Sequence, residues 1–440
     1  MDWQLLRVPA FRALWRGRAL SWVGNGVAPI ALSFAVLDLG GDAVDLGLVL
    51  AARSLPNLVL VLFGAAAVGR LPQRRVTVGA SAAAALALVG AAVLLLVGRE
   101  TMTTLAVVAA VVGVAAALFA PASQAVLRVA LPEHRQREGA ALNRVAMNVG
   151  LVVGTALGGA LVGAAGTAAG LFGAAVALVA AAGVFTRLPR GVVGTPLGPE
   201  TWSGTARRLG QGLGFVARTP WLAATALLVL VLQVAVGAGV HDFGPLAVDG
   251  AFGGAAPLYG YRPVDLSSGR TAWGFAGAVQ TVGLLVGAAA AVALRGRLRL
   301  AAGCAAVALT ALPLGVVALS PGPTGGAVAF VDPVHWAVAL VLALGLSGLA
   351  LEMLSVPLDR AVRDRVPATW SGRVWPVLTL ASLGGAPLGE LVAGPLAALL
   401  GQPGALLGLA GLVVVAAVTV ALTGRVRRVD RPVPDGSRGA

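Results

Sequence analysis

Residues 76–97 read VTVGASAAAALALVGAAVLLLV, a run without a charged side chain. A helix rises 1.5 Å per residue and needs about 20 residues to cross roughly 30 Å of hydrocarbon. This run has that length, and Arg70, Arg74 and Arg75 stand at one end of it. Working outward, comparable apolar runs recur near 19–39, 46–68, 103–127, 140–163, 167–186, 221–245, 272–294, 300–320, 335–357, 372–397 and 403–424. With 76–97 they predict an all-α, polytopic membrane protein of twelve spans.

The arginines test that count independently, because basic residues collect in connections on the cytoplasmic side of a membrane. Every second connection is basic. The series begins with Arg7, Arg12, Arg16 and Arg18, then Arg70, Arg74 and Arg75, then Arg128, Arg135 and Arg137. It continues with Arg187, Arg190, Arg207, Arg208 and Arg218, then Arg295, Arg297 and Arg299, then Arg360, Arg363, Arg365 and Arg373. It ends with Arg425, Arg427, Arg428 and Arg431, while the alternate connections are neutral, mixed or acidic. Removing or adding one span would break the alternation, so both ends are predicted to be cytoplasmic, in the cell membrane. Trp221, Trp273, Trp336 and Trp370 fall at predicted span ends, as interfacial anchors do.

Composition agrees. Of 440 residues 58% are hydrophobic and 11% charged, with a mean hydropathy of +0.90, whereas soluble chains carry about 25% charged residues. The 61 glycines suit helices that pack closely in lipid through small residues. The net charge of +14 would raise the question of nucleic acid in a soluble chain, but here the arginines read as orientation signals, so no nucleic-acid partner is expected. Cys304 is the single cysteine, which excludes an intrachain disulfide. His134, His241 and His335 are scattered, so no metal site is expected. The chain contains no lysine, which rules out a lysine-bearing phosphate loop of the ATP-binding type. No span pairs a nucleophile with a base, so an enzyme and a bound cofactor are both unexpected.

The connection 187–220 is the longest on the basic side, carries Pro189, Pro196 and Pro199, and precedes an amphipathic stretch around Trp202–Arg218. It divides the chain into a bundle of six spans over 1–186, a linker over 187–220, a second bundle over 221–424 and a tail over 425–440. Two related halves are a common plan in transporters. An internal repeat fits it: GTALGGALVG over 154–163 matches GAPLGELVAG over 385–394, in the fifth and the eleventh span.

These features resemble the major facilitator superfamily, in its drug:proton antiporter-like exporter branch, over nearly the whole chain. The stretch Gly64-Ala-Ala-Ala-Val-Gly69-Arg70-Leu-Pro-Gln-Arg74-Arg75 is similar to the family's G-x-x-x-D-R-x-G-R-[RK] motif, with Gly69 in the place of Asp. The resemblance implies a latch between the halves at this loop, altered at Gly69. Gly150-Leu-Val-Val-Gly154-Thr155-Ala-Leu-Gly158-Gly159 is similar to the exporter motif G-x-x-x-G-P-x-x-G-G, with Thr155 in the place of Pro. Gly150, Gly154 and Gly158 lie four apart and form a smooth face for a neighbouring helix; the resemblance implies that this helix sets export polarity. Pro121-Ala122, Gly372-Arg373-Val374 and Pro387-Leu388-Gly389 add to the likeness. It implies twelve helices in two six-helix pseudo-repeat bundles, and transport driven by a proton gradient.

An ionisable side chain inside a span costs about 2.5–3.5 kcal/mol on insertion scales, so each needs a reason. Glu352 in span ten and Glu390 in span eleven are the candidates for exchanging protons. Arg53, about two turns into span two, is expected to neutralise a carboxylate such as Asp38 near the mouth. Asp38 and Asp242 also read as solvated helix ends. Asn25, Asn57, Gln233 and Gln280 supply amides in spans one, two, seven and eight, and Arg144 and Asn148 share one side of span five with Thr155. Scattered amides can grip a mostly apolar molecule without fixing one shape. The expectation is a monomeric, proton-coupled exporter of small amphipathic compounds such as drugs, conferring multidrug resistance, with the lipid bilayer and protons as its other partners. A lysolipid or metabolite transporter of the same fold is one alternative, and a non-transporting membrane scaffold or sensor the other.

Overall fold

The structure is a computed structural model that describes residues 3–63, 71–189, 202–252, 269–294, 298–320 and 333–430. Among these residues it contains helices and no β-strand. Spans one to six are Pro9–Asp38, Ala43–Phe63, Gln73–Leu96, Met102–Ala130, Gln136–Ala165 and Thr167–Phe185. A helix over Trp202–Arg218 follows. Span seven joins Pro220–Val236 to Phe243–Phe252 through a π-helical turn, Gly237–Asp242. Span eight is Gly269–Ala293. Span nine is broken by a 3-10 turn into Leu300–Ala306 and Ala311–Ala318, and span ten is Pro333–Arg365. Spans eleven and twelve run as Ala368–Leu422, and Gly401, at φ 71° and ψ 158°, parts them. That backbone region is open essentially to glycine alone. Gly166, which parts spans five and six, sits at φ 82° and ψ 171°, so the two halves turn the same corner by the same device.

The glycine stripe of span five packs on span one. A methyl group on Gly150, Gly154 or Gly158 would stand 2.8 Å from Trp22 Cβ, 2.9 Å from Val23 Cα and 3.1 Å from Val27 Cα. Close backbone approach of this kind replaces side-chain interdigitation with dispersion contact along the whole crossing. The repeat does the same in the second half, where Gly385 and Gly389 of span eleven abut Leu230, Gln233 and Val234 of span seven. Thr155, in the place of Pro, donates its hydroxyl to the Leu151 carbonyl at 2.9 Å. Thr155 also keeps the backbone N–H that a proline would lack, and the helix runs unbroken over Gln136–Ala165.

The tryptophans near the span ends are held by tertiary packing as well. Trp336 is 3% exposed and donates to the Val316 carbonyl at 2.7 Å. Trp370 stacks on Phe215 of the helix before span seven, 4.8 Å between ring centres. Trp221 packs against the core of the second half, and Trp273 turns inward over Gly244. The indoles lie near span ends, as the sequence placed them, but tertiary packing claims their rings.

The helices alternate in direction, so the described arginines at every second turn of the chain share one face of the bundle, the basic face. There Asp430 caps span nine in trans, accepting from Leu300 N at 2.7 Å and Ala301 N at 3.2 Å. The carboxylate supplies the acceptor and the negative charge that a helix N-terminus lacks. Gly64, Gly69 and Arg70 of the loop motif lie outside the described residues, and Arg74 is half-buried at the start of span three.

Candidate functional site

Two pairs of spans cross between the halves. Spans five and eight meet at Gly159 and Gly274, where a methyl on Gly159 would stand 2.8 Å from the Gly274 nitrogen. Spans two and eleven meet at Gly47, whose missing side chain leaves room for the Glu390 carbonyl, and at Gly394 against Val44. Gly159 and Glu390 hold equivalent places in the repeat, so one position faces the opposite half in both bundles. It bears no side chain in the first and a carboxylate in the second.

Between these crossings spans one, two, five, seven, eight and eleven enclose a cavity of about 300 Å³. Asn25, Asn57, Gln233 and Gln280 stand on its wall together with Thr155, Arg53 and Glu390. Two amides are anchored to backbone: Asn25 Nδ2 donates to the Ser21 carbonyl at 2.8 Å, and Gln233 Nε2 to the Ser382 carbonyl at 2.8 Å. Pro29, Ile30, Leu50, Leu58, Leu151 and Trp273 supply apolar surface. The wall is apolar with a few fixed polar groups, the usual make-up of a small-molecule site.

Glu390 is 4% exposed and is gripped from both halves. Ser54 of span two donates its hydroxyl to Oε2, and Oε1 lies 3.1 Å from His241 Nδ1 of the π turn. Arg53, one residue before Ser54, is within electrostatic reach of the same carboxylate. Gly113 of span four admits the Arg53 carbonyl where a side chain would collide. The Arg53 Nε atom is sealed from solvent without a hydrogen-bond partner. Asp242, next to His241, is wholly buried, and neither of its oxygens has a partner. The π turn carries one residue more than an α-helical turn would, so its side chains are rotated relative to the helix on either side. It presents His241 to the cavity and Asp242 to the packing against span two. Asp242 is therefore not a solvated helix end.

The pairing of Arg53 with Asp38 is not made. Asp38 ends span one, whereas Arg53 lies ten residues into its own helix, about 15 Å along the axis. Asp38 joins Arg270 of span eight, Nη2 to Oδ1 2.7 Å. Arg270 Nε also donates to Asp249 at 3.0 Å, its guanidinium lies 5.0 Å from the Phe34 ring centre, and Thr167 donates to Asp38. This junction ties spans one and six to spans seven and eight at the face opposite the basic one. Glu352 is not on the central wall but in a second cavity. Arg144 and Asn148 share the side of span five that carries Thr155 but line neither cavity. Arg144, eleven residues earlier, lies about 16 Å nearer the basic face.

Sequence reasoning missed His241, Ser54, Trp273, Thr167, Asp249 and Arg270 as site residues. Arg270 starts a helix, and a charge there is not distinguishable from one in a loop by hydropathy. His241 carried no spacing signal, because its partner is 149 residues away.

A bundle of apolar helices in two halves, with a mostly apolar cavity bearing a few fixed polar groups at their junction, defines a membrane transporter rather than an enzyme. The chain belongs to the Major Facilitator Superfamily, whose family model matches residues 14–331. It is similar to the multidrug efflux pump Tap of Mycolicibacterium fortuitum, with 35% identity over 120 residues, 27% of this chain and 29% of the pump. The match thus spans less than a third of that relative's length. Among solved structures, a mutant of the nucleoside transporter NupG superposes with a TM-score of 0.72 at 14% identity, covering 94% of this chain and 100% of that one. A bacterial homologue of the human lysosomal transporter Spinster, inward-facing and unoccupied, gives 0.66 at 15%, covering 99% and 100%. At these identities the structural likeness speaks for the fold.

Proposed function

We propose that the protein is a proton-coupled exporter of small amphipathic compounds that works by alternating access between two halves, 1–186 and 221–424. The observation that carries this reading is Glu390, a nearly buried carboxylate on the wall of the central cavity that takes hydrogen-bond partners from both halves. A proton on Glu390 would weaken its attraction to Arg53 and change its bonds with Ser54 and His241. Loading and releasing that proton would thereby alter the seam between spans two and eleven. A buried ionisable group inside a membrane bundle is favoured only with such partners and such a role. The likeness to an efflux pump supports the outward direction, and the basic face is then cytoplasmic, in the cell membrane. The junction of Arg270 with Asp38 and Asp249 closes the outer side in this state. The protein acts as a monomer, since cavity and seams are complete within one chain.

Everted vesicles holding the protein, energised to make their interior acidic, test the reading with an amphipathic fluorescent dye. Gradient-driven uptake is expected with the native chain, abolished by a protonophore, and lost in Glu390→Gln, while exchange of dye without a gradient persists in that variant. Gradient-driven uptake by Glu390→Gln at the native rate would remove Glu390 from the coupling.

A further inference from the structure

A second cavity of about 300 Å³ opens between spans seven, ten and eleven, nearer the basic face. Val229, Leu232, Leu351, Leu354 and Leu378 make its wall mostly apolar. Two carboxylates, Glu352 and Asp359, stand on it seven residues apart, two turns along one side of span ten, and Trp375 of span eleven adds an indole. No arginine or histidine is among the lining residues, in contrast to the central cavity, where Arg53 and His241 accompany Glu390.

The two acids are unequally compensated. Asp359 lies 3.8 Å from Arg363 in a pair whose side chains are 48% and 70% exposed, and Arg144 is within electrostatic reach of it. Glu352 accepts a neutral hydroxyl, Ser355 Oγ at 2.7 Å, from its own helix turn, and faces Asp359 as a like charge. A carboxylate set in apolar walls is costly without a counter-charge. A lipophilic cation would bring both the apolar surface that fits the wall and the missing charge, and an indole face attracts cations further. The two cavities share Gln233 and Ser382, so the hydrogen bond between them, 2.8 Å, is the partition from one to the other.

The geometry points to a second binding site, specific for aromatic organic cations, held by Glu352 and Trp375 with Asp359 at its mouth and separated from the central cavity by Gln233 and Ser382. It rests on the transport reading in being a station on the substrate's path, but its binding needs no gradient. Purified full-length protein in detergent should therefore bind tetraphenylphosphonium at equilibrium, and the neutral triphenylphosphine oxide at least about tenfold more weakly. Glu352→Gln should weaken the cation about tenfold and leave the neutral compound unaffected, whereas Trp375→Ala should weaken both, the cation by the larger factor. Asp359→Asn provides a third, more exposed probe should either variant fail to fold, and it should slow cation entry. Equal affinity for the two compounds, or unchanged cation affinity in folded Glu352→Gln, would overturn the site. A protein that binds the cation as expected yet drives no gradient-dependent flux would fail the transport reading and leave this site standing.

Discussion

Glu390 and Asp242 are two acids a few ångströms from the same glycine, Gly47, yet they are kept for different physical reasons. Glu390 has a hydroxyl and an imidazole to bond with, whereas both Asp242 oxygens are buried without partners. A polar group sealed without a hydrogen bond costs about 1–3 kcal/mol. Replacing Asp242 by the similarly sized Leu should therefore raise the stability of the detergent-solubilised protein by about that amount. The measurement is a thermal-unfolding midpoint, and a lowered midpoint would mean that Asp242 has a bonding partner in the membrane state. The sequence made Glu390 legible, because an acid inside an apolar run demands a reason. Its partners were not legible: Ser54 is 336 residues away and His241 is 149, and nothing in a single sequence announces which spans will touch. Asp242 was misread for a related cause, since hydropathy places a residue along a helix axis and the π turn altered its rotation about that axis.

At the scale of the helices the sequence was far more informative. Each of the twelve apolar runs falls, among the described residues, on a helix, and eleven helices are long and apolar enough to cross a membrane, the last of them, Ala368–Leu422, holding two runs parted at Gly401. The bilayer's thickness sets a length that composition reveals directly. What hydropathy could not give were the ends and the breaks. Span one begins at Pro9, ten residues before its apolar run, and carries Arg12, Arg16 and Arg18 on the helix. Span nine is interrupted at Val307–Thr310, where no charged side chain announces a break and the Thr310 hydroxyl donates to the Val307 carbonyl at 2.6 Å. The repeat between spans five and eleven, read from ten residues, leads in each half to a glycine corner, though not in register: Gly166 stands opposite Ala397 in the repeat and the second corner falls one turn later, at Gly401. An alanine at either corner must adopt a backbone region that a Cβ disfavours, at about 1–3 kcal/mol. Gly166→Ala and Gly401→Ala should each lower the unfolding midpoint, while Gly183→Ala, in a helix with open space beside it, should not. An equal effect at all three would show that strain at the corners is absent.

Across the whole molecule the halves are joined at the face opposite the basic one by Arg270, which holds Asp38 and Asp249 at 2.7 and 3.0 Å while its own side chain is 24% exposed. Partly exposed ion pairs contribute about 1 kcal/mol or less each, so the junction biases the closed arrangement of that face without locking it. Arg270→Ala is expected to shift the balance toward separation by about 1–2 kcal/mol, roughly 5- to 30-fold in population. Spin labels at positions 39 and 252, across the junction, would report this as a longer distance component in the variant. An unchanged distance distribution would place the closing force elsewhere, in the glycine crossings.

Those crossings differ in kind. Gly159 against Gly274 is backbone on backbone, held by contact and indifferent to acid, whereas the crossing at Gly47 and Glu390 places a carboxylate between the halves. A change in the protonation of Glu390 is therefore felt at the seam of spans two and eleven, and not by the backbone contact of Gly159 with Gly274. In the proposed transport cycle the glycine contact would then serve as the hinge and the carboxylate as the latch of a door that opens on one side.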